Sequence, residues 1–207
     1  MKKIIQFFIN LFDELMEHFE HDKKVHEMRK RINMVLDGLE WKIFKTWIGI
    51  LLHHSFTKDG IIVDTIAIKK YHTSWRYNNN IIIHAEAQEL MKAGKSVTPP
   101  WQDIGYHFTI ETVNGIIHLF PGRSMRISGA HEVKANSTHI GICNIGNFDE
   151  KAPSEDLYLF TSIVCQEIMK RLPTIVKIEG HNQYKSSKTC PGKQYDVDKI
   201  DKIIKEA

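Results

Sequence analysis

Apolar residues recur every three or four positions through the first forty residues. Ile4, Phe8, Leu11, Leu15 and Phe19 form one series; after the polar stretch His21-Asp22-Lys23-Lys24 come Val25, Met28, Ile32, Val35 and Leu39. That spacing lines one face of a helix, and no Pro and no Gly before Gly38 interrupts it. The second series resembles a short heptad seam. Three readings are open for residues 1–40: a helical hairpin packed on the rest of the chain, self-association through the seam, or contact with a membrane surface through the bulky Phe7, Phe8 and Phe12.

From Trp41 the texture changes to alternating strands and helices, so a boundary is expected between a helical extension, 1–40, and a second unit, 41–207. Residues 47–52 read as a buried strand that delivers His53 at its C-terminal end. Helical patterns cover 63–71 and 83–93, the latter closed by Gly94. Asn78-Asn79-Asn80 breaks the pattern between them, and Pro99-Pro100 stops the second. Residues 107–112 and 116–120 alternate about Asn114-Gly115, a strong hairpin signal. Residues 140–145 form another apolar strand. A helix over 154–171 ends before Pro173, a short strand over 175–178 leads to His181, and a last helix covers 197–204. This alternation indicates an α/β sheet with helices on its faces.

Composition narrows the functional classes. With 207 residues and 42% hydrophobic content, the chain can bury one good core with an appendage. A net charge of +3 suits attraction to a polyanionic wall but gives no basic stripe interleaved with aromatics, which argues against nucleic acid as the substrate. Cys143 and Cys165 sit in apolar settings and read as buried reduced thiols. Lys2-Lys3 followed by an apolar run imitates a secretory signal, but Gln6 and Asn10 interrupt the run and Asp13, Glu14 and Glu17 stand where a cleavage site belongs. No cleaved signal is expected, and the run is too short to span a bilayer.

The chemistry concentrates in His53, His181 and Cys190. Zinc takes imidazole nitrogen and thiolate sulfur, and three protein ligands with one open position characterise a catalytic ion more than a structural one. His54, next to His53 on a strand, points to the opposite face and makes a poor ligand.

Five ordered segments carry a resemblance: Leu52-His53-His54-Ser55; Trp101-Gln-Asp-Ile-Gly-Tyr106-His107-Phe108; Gly129-Ala-His131 with Asn136; Ile140-Gly-Ile-Cys143 leading to Gly146-Asn-Phe-Asp149; and Gly180-His181 with Lys188-Thr-Cys190-Pro-Gly192. Together they resemble the zinc-dependent N-acetylmuramoyl-L-alanine amidases of type 2, which share the peptidoglycan-recognition-protein fold, and within these the bacteriophage amidase lysozymes. The resemblance covers roughly residues 47–195 and leaves 1–40 outside. It implies a central mixed β-sheet flanked by helices, and zinc held by His53, His181 and Cys190. It also implies Tyr106 and Lys188 as the catalytic pair that stabilises charge developing on the scissile carbonyl. The substrate would be bacterial peptidoglycan, with His131 and Asn136 lining its groove; Arg123, in Pro121-Gly122-Arg123, is expected to face the acidic stem peptide. Such a product would be made in the host cytoplasm and reach the wall with help.

Several departures from the family pattern concern specificity and remove no ligand. They are Lys134 where Gly is frequent, Asn182 after the second zinc histidine where Arg is usual, and an extra residue between His181 and Cys190. Two other readings remain: a peptidoglycan sensor that binds without catalysis, and a cysteine hydrolase using Cys190 as nucleophile and His181 as base. Asp103 reads as a turn acceptor and Trp101 as a wall or core residue.

Overall fold

In the computed structural model, residues 2–41, 45–58 and 64–206 are described. The side chains of Ile4, Phe7, Phe8 and Phe12 lie outside the described set. Five strands form one sheet: β1 (Gly49–His54), β4 (Phe108–Val113), β5 (Ile116–Pro121), β6 (His139–Asn144) and β7 (Lys177–Gly180), in the order β5-β4-β6-β1-β7. β4, β6, β1 and β7 run parallel, and β5 joins β4 antiparallel, so the sheet is mixed. The helices are α1 (Lys2–Asp37), α2 (Asp64–His72), α3 (His84–Lys92), α4 (Glu155–Arg171) and α5 (Val197–Glu206).

Every residue of β1 and of β6 is buried, yet the two sheet faces differ in chemistry. The register pairs Ile50 with Ile140 and Leu52 with Ile142, and these join Phe108, Ile110 and the apolar residues of α1 and α4 in one core. Strand alternation sends the intervening positions to the other face: Gly49 beside His139, Leu51 beside Gly141, His53 beside Cys143. One face is thus a helix-covered core. The other carries histidine, cysteine and glycine.

The two apolar series of the N-terminus belong to a single helix, not a hairpin. Nothing in His21-Asp22-Lys23-Lys24 breaks a helix, because all four residues tolerate its interior; what changes there is the environment of the apolar face. Met28, Ile32 and Leu36 are buried in the core, whereas Leu15 and Phe19 are 60% and 61% exposed. The packed half is also tied by charge: Asp37 and the buried Glu167 both accept from Arg171, and Arg29 pairs with Glu167. Residues 25–39 therefore pack as part of the core of the unit that follows. Ile32→Ala is expected to cost about 2–5 kcal/mol, while Phe19→Ala stays within about 0.5 kcal/mol. Denaturant titration of both variants checks this.

The hairpin about Asn114-Gly115 forms as the pattern predicts, with both residues left-handed at φ 50° and 79°. A second hairpin, β2 (Trp75–Tyr77) and β3 (Asn80–Ile82), turns at Asn78 and Asn79, φ 48° and 65°. Asparagine tolerates this region better than other residues with a Cβ, so the asparagine run that reads as a break is a turn between strands.

Candidate functional site

The C-terminal end of β1 carries His53 into the polar face, and β7 ends at Gly180 so that His181 opens a short 3-10 turn beside it. Cys190 arrives on the following loop. Several bonds fix that loop: the backbone N–H of Asn182 donates to Cys190 O (2.6 Å), Gln194 N–H to Phe148 O (2.9 Å), and Gly192 presses against Phe148. Asp149 staples it further. One carboxylate oxygen accepts from the Thr189 hydroxyl and the other from Lys193 N–H, each at 2.8 Å. The His54 backbone N–H donates to Cys190 Sγ at 3.4 Å.

The ligand atoms of His53, His181 and Cys190 all lie within 4.8 Å of one another, the one such group among the described residues. Bond lengths of about 2.3 Å to sulfur and about 2.0 Å to nitrogen, at a tetrahedral angle, place S and N about 3.5 Å apart. Cys190 Sγ and His53 Nδ1 are 3.6 Å apart. The donor set fits a zinc ion in type and spacing. His54 stays outside it: its Nδ1 accepts from Phe148 N–H (3.2 Å) and its ring stacks on Phe148 on the opposite side of the strand.

Burial disfavours charge on the donor groups. Burial, with His131, His181 and His54 around it, holds the His53 imidazole well below the usual histidine range, so it is neutral. Burial pushes the Cys190 thiol up to about 12, despite the His54 N–H and Lys188 pulling the other way. A thiol that reluctant to ionise is a poor nucleophile without a metal, which counts against the cysteine-hydrolase reading.

The Tyr106 ring lies 5.2 Å from that of His53 and 6.4 Å from that of His131. Burial and the neighbouring Cys143 and Cys190 raise its phenol well above the ordinary range, leaving it a proton donor. It borders a cavity of about 350 Å³ lined by Ser55, Asp64, Tyr71 and His72. Lys188 is exposed on the Cys190 loop, near enough for its charge to act on the thiol.

The three groove residues named from sequence have definite placements. His131 Nδ1 meets His53 Nε2 at 3.0 Å, and its ring lies over Gly129 and Gly141, where an added Cβ would meet it at 2.3 and 2.5 Å. Both glycines are thus room for a histidine. Asn136 Oδ1 accepts from the backbone N–H of His131 (2.7 Å) and Glu132 (2.9 Å). Arg123 is 9% exposed and turned inward, donating to the carbonyls of Ile104 (2.8 Å), Ser128 (3.0 Å) and Asp103 (3.1 Å). That corrects the expectation that it faces an acidic ligand: three backbone carbonyls hold its guanidinium in the scaffold. Asp103 accepts from Ile104 N–H at 2.7 Å, a turn role, and pairs with Lys69. Trp101 stacks near His72 and under the Arg76 guanidinium.

Two further residues, unmarked by any motif role, support the site. Glu132 Oε2 lies 3.0 Å from His181 Nε2, and Asp149 holds the cysteine loop. Asp149 sits inside a recognised segment and Glu132 beside a named histidine, but only the folded contacts reveal what either touches.

Buried neutral imidazoles have a consequence for pH. Burial lowers His107 and His72 to about 4 and His131 to about 3. The unfolded chain binds protons at these sites from about pH 6.5 downward and the folded chain does not. Their contribution is therefore complete above about pH 6.5 and lost as pH falls toward about 4, by up to about 1.4 kcal/mol per unit per group. The metal-free protein is expected to melt on the order of 10 °C lower at pH 4.5 than at pH 7; a flat profile would contradict neutral burial.

Comparison with known proteins bears on the family and the fold. The family model of N-acetylmuramoyl-L-alanine amidases matches residues 44–193. Peptidoglycan-recognition protein SD of Drosophila melanogaster is 32% identical over 94 residues, 44% of this chain and 48% of that one. The endolysin of Escherichia phage T7 is 32% identical over 97 residues, 44% of this chain and 60% of its own. The aligned stretch spans about half the length of such relatives. Among solved structures, the N-acetylmuramoyl-L-alanine amidase LysC from Clostridium intestinale URNW superposes with a TM-score of 0.52 at 19% identity, covering 81% of this chain and 89% of that one, a likeness of fold. With the mixed sheet, the ordered motifs and a family match over most of its length, the chain belongs to the N-acetylmuramoyl-L-alanine amidase family.

Proposed function

We propose that this chain is a zinc-dependent peptidoglycan hydrolase of the phage endolysin type. It would cleave the amide between the lactyl group of N-acetylmuramic acid and the L-alanine of the stem peptide. The observation that carries this is the convergence of His53, His181 and Cys190 within 4.8 Å, with the Tyr106 ring 5.2 Å from that of His53. His53, His181 and Cys190 would hold the ion. Zinc, when bound, supplies the Lewis acidity that makes water a nucleophile near neutral pH and polarises a carbonyl.

The protein supplies the rest. Tyr106, a phenol whose ionisation burial disfavours further, offers a hydrogen-bond donor where negative charge grows on the amide oxygen. Such a donor stabilises the transition state more than the ground state. Lys188 adds a positive charge from the loop that carries Cys190, and its exposure leaves it free to close on a bound substrate. The cavity bordered by Tyr106 and Tyr71 gives the muropeptide a berth next to the reacting bond. In this reading the enzyme is made in the host cytoplasm and gains the wall afterwards.

The test is direct. Incubated with purified peptidoglycan, the chain should free the amino terminus of stem-peptide L-alanine. A strong chelator should stop the release, and added zinc should restore it. Release that continues unchanged in excess chelator would overturn the proposal. The relatives named for peptidoglycan recognition favour a second reading, a sensor without catalysis. Binding to the wall with no peptide released at any zinc concentration would decide for it.

A further inference from the structure

We propose that Glu132 is a positioning residue for the metal centre, acting through His181, and that one short loop aims both imidazole ligands. This rests on the zinc reading above. His131 and Glu132 are consecutive, and each meets the Nε2 of a different candidate ligand. His131 Nδ1 is 3.0 Å from His53 Nε2, and Glu132 Oε2 is 3.0 Å from His181 Nε2. Both side chains of the Glu132–His181 pair are largely shielded, 12% and 13% exposed, so this is no solvated surface pair.

A carboxylate can only accept from an imidazole N–H. Glu132 therefore fixes the proton of His181 on Nε2 and leaves the Nδ1 lone pair for an ion. His53 is disposed in the same sense, its Nε2 turned to His131 and its Nδ1 toward Cys190. Outer partners of this kind set the tautomer and orientation of metal-bound histidines and raise their basicity.

The loop is built to hold the two grips in register. Asn136 Oδ1 accepts both backbone N–H groups, from His131 and Glu132, and its own N–H donates to Glu132 O at 2.7 Å. The second Glu132 oxygen accepts from Lys134 N–H at 3.1 Å, which orients the carboxylate. Gly129 N–H donates to Asn136 O at 2.9 Å and closes the loop. Asn136, named from sequence as a groove residue, sets the backbone from which both grips extend.

The experiment compares the full-length protein with its Glu132→Ala and Glu132→Gln variants. Zinc affinity is measured by competition with a chromophoric chelator, and the visible absorption of the cobalt-loaded proteins is recorded. Removing the carboxylate should weaken zinc binding about 10–100-fold and shift the cobalt bands. Glu132→Gln, which keeps an acceptor without the charge, should fall between. Millimolar acetate should restore part of the affinity of Glu132→Ala, as a merely structural role would not allow. Equal melting temperatures of the metal-free proteins should show that the fold is unchanged. Wild-type affinity and an unshifted cobalt spectrum in Glu132→Ala would overturn the proposal. A wild-type protein that takes up no zinc would instead overturn the metal reading on which it stands, so the two failures are distinguishable.

Discussion

Cys190→Ser should strip the protein of zinc and lower stem-peptide release to below about 1% of wild type, beyond the roughly 100-fold that losing an outer partner costs. Serine keeps the shape of the side chain but not a thiolate, and a hydroxyl remains protonated at neutral pH where a coordinated thiol does not. The loop itself should survive, because Asp149, Phe148 and Asn182 hold it besides the His54 N–H bond to the sulfur. Metal content by elemental analysis and release from purified peptidoglycan would be measured together. A variant that retains one equivalent of zinc and wild-type release would remove Cys190 from the centre. The same variant separates the two catalytic readings: a cysteine nucleophile predicts a zinc-free, alkylation-sensitive wild-type enzyme, and the thiol raised to about 12 by burial already argues against it.

Tyr106→Phe is expected to act on turnover alone. Loss of one donor to a developing oxyanion costs about 10²–10³ in kcat, about 2.7–4 kcal/mol, while KM and zinc content should barely change. The ring would remain in place against His53 at 5.2 Å, so the variant removes a hydroxyl and little packing. Steady-state kinetics on a soluble muropeptide would show the split. A kcat within twofold of wild type would leave Tyr106 a sheet-edge aromatic with no part in the chemistry. A change confined to KM would make it a binding residue.

Much of this protein is legible in one dimension because its elements follow local rules. The 154–171 helix has its Ser154 cap, whose hydroxyl accepts from Leu157 N–H. The Asn114-Gly115 hairpin has the two residues that tolerate its backbone angles. Over residues 1–40 a polar interval between two apolar series looks like a turn, but it marks where the helix leaves solvent and enters the core. The Asn78-Asn79 turn resembles a break in sequence because flanking strands of three residues are too short to show alternation.

The ligand set His53, His181 and Cys190 stands out among twelve histidines and three cysteines only through the ordered motifs that carry the family resemblance. The surrounding partners were beyond that reach. Glu132 and His181 are 49 residues apart, and Asp149 and Thr189 are 40 apart; nothing along the chain announces such a meeting. Arg123 shows the same limit from the other side. Its charge suggested an acidic ligand, and the fold gave it three carbonyls.

Sequence alone determined most of the longer elements and, through the ordered motifs, the family with its three candidate metal ligands, because periodicity, turn chemistry and motif order are written along the chain. Tertiary structure decided which half of the first helix is buried, where Arg123 points, and which residues hold the imidazoles, because those outcomes depend on contacts between segments that pack together only when the sheet is formed.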